Sequence, residues 1–125
     1  MNVSYLIDTD WVIDHFNKLE KVTKKLEELA PQGLALSIIS LAELYEEIYY
    51  SRDSVQSEEI LKAFLIPDLM LLGIDEGICR IFGKERGRLR QRGKTIGEFD
   101  LLIASTCLFI ITLPFSLITQ GILKQ

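Results

Sequence analysis

A chain of 125 residues is one domain's worth and can bury a hydrophobic core without disulfides. Hydrophobic residues at 48% and charged residues at 26% are the proportions of a soluble globular protein. A net charge of −4 excludes an overall field that draws in nucleic acid, so any such contact needs a local basic patch.

Val3 to Ile7, apolar and rich in β-formers, predicts a first strand that ends in Asp-Thr-Asp. Trp11, Val12, Phe16 and Leu19 recur at helical spacing. A second helix is predicted from about Lys18 to Ala30, with Leu19, Val22, Leu26 and Leu29 on one face and Pro31 and Gly33 as its stop. Leu34 to Ile39 reads as strand two, followed by Ser40 as N-cap of a helix over Leu41 to about Tyr50. After a polar break at Ser51 to Ser54, Val55 to Phe64 reads as a helix ended by Pro67, and Leu69 to Ile74 as strand three. Asp75 caps a helix running to about Arg92, with Ile78, Ile81, Phe82 and Leu89 inward. Gly93 to Gly97 is a turn, and a last helix starts near Glu98. Leu101 to Ile118 is an uncharged run of 18 residues, at the threshold of a membrane span, but Pro114 interrupts it and Ser105, Thr106, Thr112 and Ser116 dilute it. It reads as a buried helix followed by something extended.

Strands alternating with helices predict a layered α/β fold with a parallel sheet, in which ligands gather at the carboxyl ends of the strands. Cys79 and Cys107 sit in apolar segments and read as buried, reduced thiols of a cytoplasmic protein. The lone His15 reads as structural or surface, and no Cys or His cluster points to zinc. The amino terminus lacks the basic start and apolar run of a signal peptide.

Asp8 falls at the end of strand one, Glu43 in the first turn of the helix after strand two, and Asp100 in the first turn of the last helix. Parallel pairing would bring all three to one sheet edge. Like charges that close raise one another's pKa, and a hard divalent cation with oxygen ligands relieves them. Each residue also has a purely structural reading. Ser40-Leu41-Ala42-Glu43 fits a capping box, Asp100 suits a helix N-terminus, and Asp8 suits a turn.

The segments around them carry a resemblance. Leu-Ile-Asp-Thr-Asp (6–10), Ser-Ile-Ile-Ser-Leu-Ala-Glu-Leu-Tyr (37–45) and Ile-Gly-Glu-Phe-Asp-Leu-Leu-Ile-Ala-Ser (96–105) resemble, in order and spacing, the three successive signatures of PIN-domain toxins of the VapC type. The resemblance covers residues 3 to about 108. It implies a three-layer PIN-like fold, a single domain over 1–125, with an atypical tail over 109–125. It further implies an endoribonuclease, the toxin of a type II toxin-antitoxin pair, with Asp8, Glu43 and Asp100 holding Mg²⁺ or Mn²⁺. Thr9 and Ser40 would support the site by hydrogen bonding, and Asp10 would stand in its outer shell. The implied reaction is hydrolysis of RNA by an activated water, leaving a 5′-phosphate and a 3′-hydroxyl. The implied partners are RNA, a VapB-like antitoxin and a second copy of the chain.

Lys84, Arg86, Arg88, Arg90, Arg92 and Lys94 alternate in a run offset only by Glu85. A solvated helix face accounts for some of them. Because the run leads into the Asp100 motif, Arg86, Arg88, Arg90, Arg92 and Lys94 are also candidates for tracking RNA phosphates without reading sequence. After the last helix, PIN toxins continue with a strand and a segment like Thr-Asn-Asn-Thr-Arg-Asp-Phe. Here Phe109 to Gln125 has no acidic residue, and only Ser116 to Thr119 could imitate the strand. With suitable third codon bases, a shift of reading frame near Leu108 to Phe109 would restore an Asn-Asn-Thr-Arg segment at that position, and the gene's nucleotide sequence is the test. The altered tail makes a binding module that engages an antitoxin or dimerises without cleaving RNA the main alternative. A receiver-type phosphoacceptor lacks its acidic pair and late lysine, and a tail-anchored protein is opposed by Asp100 and Pro114.

Overall fold

The computed structural model describes residues 5–65, 69–112 and 122–123. Its elements are β1 (Tyr5–Ile7), α1 (Thr9–Phe16), α2 (Glu20–Leu29), a 3₁₀ turn (Ala30–Gln32), β2 (Leu34–Ser37), α3 (Ile38–Tyr49), α4 (Ser54–Leu65), β3 (Leu69–Leu72), α5 (Glu76–Gln91), α6 (Glu98–Thr112) and β4 (Ile122–Leu123). The sheet has order β3-β2-β1-β4 and every pairing is parallel. Leu36 lies opposite Ile7 and Leu71, and Ile7 opposite Leu123.

Alternation along the strands divides the core into two halves. Ile7, Leu34 and Leu36 pack with Val12, Val22, Leu26, Leu29, Leu44, Ile48 and Leu61, from α1 to α4. Leu6, Ala35 and Leu72 pack on the other face with Ile103, Cys107 and Ile110 of α6. Successive strand residues point to opposite faces, so a sheet buried on both sides reads as continuous apolar runs flanked by two helical layers. This is the expected three-layer architecture, with Ile122–Leu123 as its last strand. Ser116 to Thr119 and most of the segment affected by a shifted frame lie outside the described residues.

The apolar Leu101 run is largely accounted for by α6. Its buried hydroxyls are satisfied within the helix: Ser105 Oγ donates to the Leu101 carbonyl at 2.7 Å and Thr106 Oγ1 to the Leu102 carbonyl at 2.8 Å. Among the described residues, no helix is long and apolar enough to cross a membrane.

Several boundaries differ from expectation. Strand two ends at Ser37, not Ile39, and Ser37 rather than Ser40 is the N-cap of α3: its backbone is extended and its Oγ accepts from the Ile39 amide at 3.1 Å. Ser40 is helical and buried. A cap needs non-helical φ and ψ, and Ser37, leaving the strand, has them. The second helix starts at Glu20 because Lys18 adopts φ of 60°, and Leu19 consequently stays exposed rather than joining the inward face. Strand three stops at Leu72, leaving Asp75 extended to cap α5 by accepting from the Ile78 amide at 3.0 Å. Cys107 is buried, whereas Cys79 is exposed on α5.

α5 and α6 pack closely at one point. A Cβ on Gly77 would collide with the ring of Phe109, whereas one on Gly83 would meet nothing within 4 Å. In a helix, alanine is favoured over glycine by about 1 kcal/mol, while overpacking costs about 1–3 kcal/mol. Gly83→Ala is therefore expected to raise the urea midpoint and Gly77→Ala to lower it. Loss at Gly77 should largely vanish in a Phe109→Leu background. Equal shifts at both glycines would contradict this packing.

Candidate active site

The register that pairs Ile7 with Leu36 sets Asp8, just past the end of β1, level with Ser37, the last residue of β2. Asp8 is the N-cap of α1: its backbone is extended and its Oδ1 accepts from the Thr9 amide at 3.0 Å. Ser37 opens α3, so Glu43 stands well past that helix's first turn. The capping box is thereby excluded, since its acidic member must sit three residues after the cap. Glu43 instead turns toward α1, where the buried Thr9 donates from Oγ1 to its Oε1 at 2.7 Å. Asp100 lies in the first turn of α6, exposed, with its carboxylate close to Gly97.

The electrostatics show that these groups share one region. The Glu43 carboxyl is held above the ordinary glutamate range. Burial is the largest cause, opposed by the Thr9 hydrogen bond and reinforced by the negative charges of Asp100, Asp8 and Asp10, in that order. A hydrogen bond to a charged group contributes about 1.5–3 kcal/mol, yet here desolvation and repulsion together prevail over it. Among the described residues, no group of three or more Asp, Glu, His or Cys side chains is drawn tightly enough to hold a metal ion. The carboxylates therefore feel one another without forming a closed ligand set.

Two shallow hollows meet at Glu43. One, of about 310 Å³, is lined by Glu43, Gly97, Glu98, Phe99 and Asp100. The other, of about 240 Å³, is lined by Thr9, Asp10, Ile13, Glu43, Glu46 and Glu47. A larger apolar hollow of about 500 Å³ lies at the opposite, amino-terminal edge of the sheet, where Leu34 and Leu69 begin their strands. It holds none of these carboxylates. Ser40 does not join the site's hydrogen bonds, since its Oγ is buried without a partner among the described residues. Glu46 and Glu47 of α3 border the Asp10 side. Glu98 also lines the site, although nothing in its sequence context distinguishes it from an ordinary acidic first-turn residue.

The cations are less unified than their alternation promised. Residues two apart in a helix point about 160° away from each other, so Lys84 and Arg88 form one stripe of α5, and Arg86 and Arg90 another. Arg86 pairs with Glu98 and Arg88 with Glu85. Arg90, Arg92 and Lys94 are exposed. His15 is structural: its Nδ1 lies 2.9 Å from Thr23 Oγ1 and its ring packs against Phe16 and Phe64.

No family profile matches the chain. It is 36% identical over 104 residues to Ribonuclease VapC1 of Methanocaldococcus jannaschii, covering 82% of this chain and 67% of that protein. To Ribonuclease VapC2 of Rickettsia felis it is 34% identical over 103 residues, 81% of this chain and 76% of that protein. Among solved structures, VapBC2 of Rickettsia felis bound to a DNA fragment from its promoter superposes with a TM-score of 0.78 at 31% identity. That match covers 86% of this chain and 82% of the other. VapBC-1 of nontypeable Haemophilus influenzae gives 0.72 at 28% identity, covering 86% and 81%.

A carboxyl whose pKa is raised on folding favours the native state fully below its unfolded pKa, and that contribution is lost as pH rises through the folded pKa. For Glu43 the window therefore opens at the ordinary glutamate range and extends upward. In metal-free buffer, thermal stability of the wild type relative to Glu43→Gln is expected to fall as pH rises through that window. A difference between the two melting curves that does not change with pH would refute the strained carboxylate.

Proposed function

The chain belongs to the VapC family of PIN-domain toxin ribonucleases, and on that basis we propose that it is a Mg²⁺- or Mn²⁺-dependent endoribonuclease, the toxin of a type II toxin-antitoxin pair. The carrying observation is Glu43: half-buried, fixed by Thr9, and under repulsion from Asp100, Asp8 and Asp10. Concentrated negative charge with only oxygen donors is the chemistry that hard divalent cations satisfy. Asp8, Glu43 and Asp100 would hold the ion.

Held by Asp8, Glu43 and Asp100, such an ion would supply Lewis acidity toward water and offset charge on the scissile phosphate. Thr9 restricts the rotation of Glu43, so one carboxylate oxygen is committed to the protein and the other is left for the ion. The Thr9 amide does the same for Asp8. Asp10 adds negative potential from the outer side. No side-chain nucleophile is needed, because water attacks phosphorus and the RNA 3′ oxygen leaves. Arg90, Arg92 and Lys94, exposed at the end of α5 that leads toward Asp100, support a phosphate-tracking role, with Arg88 beside them. A VapB-like antitoxin partner is supported by the VapBC complexes to which the chain is similar. Homodimerisation and a cytoplasmic location complete the proposal.

A second reading has one specific observation in its favour. The carboxylates are not gathered into a closed ligand set among the described residues. A chain that cannot complete the set would retain antitoxin binding and lose cleavage.

The purified chain should cleave single-stranded RNA to 5′-phosphate and 3′-hydroxyl ends only with added Mg²⁺ or Mn²⁺. Asp8→Asn and Asp100→Asn should each reduce the rate at least about a hundredfold. Cleavage that survives chelation, or the Asp8 change, would rule the mechanism out. Absence of cleavage combined with tight antitoxin binding would establish the second reading.

A further inference from the structure

We infer that Arg86 is a positioning residue for Asp100, acting through Glu98, rather than an RNA contact. The inference rests on the metal-site reading above but has a readout independent of it. Arg86 Nη2 donates to Glu98 Oε1 at 3.2 Å, linking the middle of α5 to the first residue of α6 across 12 positions of sequence. Glu98 lines the same hollow as Glu43 and Asp100. It also precedes Asp100 by two residues in the first helical turn, the turn closed by the Leu101 amide donating to the Gly97 carbonyl at 3.0 Å.

Arg86 is set differently from its basic neighbours. Its side chain is 27% exposed, against 59% for Arg88. The guanidinium carbon lies 5.9 Å from the centre of the Phe82 ring. Nη1 is enclosed and has no partner among the described residues. A guanidinium cannot shed its proton, so an enclosed unpaired donor costs stability. An apolar side chain would fill the space without that cost. What arginine adds there is a rigid fork, lying over the Phe82 ring, whose other arm holds Glu98. The first turn of a helix has no preceding turn to bond to and frays unless it is tied down. Here the tie comes from α5, and Asp100 is held toward Glu43 as a result. Side chains that orient a ligand without touching the metal change metal affinity by about 10–100-fold when removed.

The test uses the full-length chain as Arg86→Gln, Glu98→Gln, the double variant and Arg86→Lys. Hydrogen exchange at the Leu101 amide, measured without metal, should accelerate in both single glutamine variants and no further in the double. Arg86→Lys should restore part of the protection. Mn²⁺ affinity, read from the resonance signal of free Mn²⁺, should fall about 10–100-fold in each single variant, again without additivity. The KM for RNA and its salt dependence should stay as in the wild type. Unchanged exchange at Leu101 overturns the inference, as does a loss of RNA affinity with the salt slope reduced by about 1, the mark of a lost phosphate contact. If Arg86→Gln fails to fold, Glu98→Gln, at a 70%-exposed position, carries the test alone. Absence of Mn²⁺ binding in the wild type would defeat the metal reading, and the exchange result would still decide the role of Arg86.

Discussion

Parallel pairing of β1 with β2 in a single register, Ile7 against Leu36, is the constraint from which the site follows. It brings two strand ends to one level of the sheet edge, and each strand runs directly into a helix. The backbone therefore delivers the start of α1 and the start of α3 side by side. Thr9 and Glu43, 34 residues apart in sequence, come within hydrogen-bond distance without any loop having to be ordered for the purpose. A slip of one residue in that pairing would exchange the two faces of β1, turning Leu6 and Ile7 to the wrong core halves and destroying the meeting of α1 and α3 together. Core and site are specified by the same register, so the apolar packing of Ile7 and Leu36 protects the geometry of the carboxylates.

The site itself opposes stability. Burial and repulsion both disfavour a charged Glu43, and the Thr9 hydroxyl compensates only in part. A ligand of opposite charge would supply the missing compensation, and perturbed carboxylates in a hollow cluster at functional sites. Desolvation ranks above any single neighbouring charge among the causes. The wall formed by α1 and α3 thus matters as much as the number of acids around it.

α5 shows how secondary structure redistributes a sequence pattern. Cations on every second residue would share one face of a strand; on a helix they fall on two stripes, and their partners then diverge. Arg88 remains on the surface with Glu85, while Arg86 turns toward α6 and Glu98. Gly77, at the other end of the same helix, admits the Phe109 ring where any Cβ would collide with it. Together these contacts make α5 the buttress of the helix that carries Asp100.

The sequence alone determined the order and type of nearly every element, because apolar periodicity and stop signals such as Pro31, Pro67 and the Asp75 cap are local properties of the chain. It also identified Asp8, Glu43 and Asp100 as the acids to examine, through three short motifs and their spacing. It placed the cap of α3 at Ser40 instead of Ser37, since both are serines before apolar residues and only the end of strand pairing leaves Ser37 extended. Capping at Ser37 releases Glu43 from the helix terminus and sends it to Thr9. The sequence could not tell Arg86 from Arg88, identical in composition and context, whose environments differ because one faces α6 and the other water. Local signals fix what each segment becomes. The partner of a charged side chain depends on which segments meet, and that is decided only when the sheet closes and the helices pack upon it.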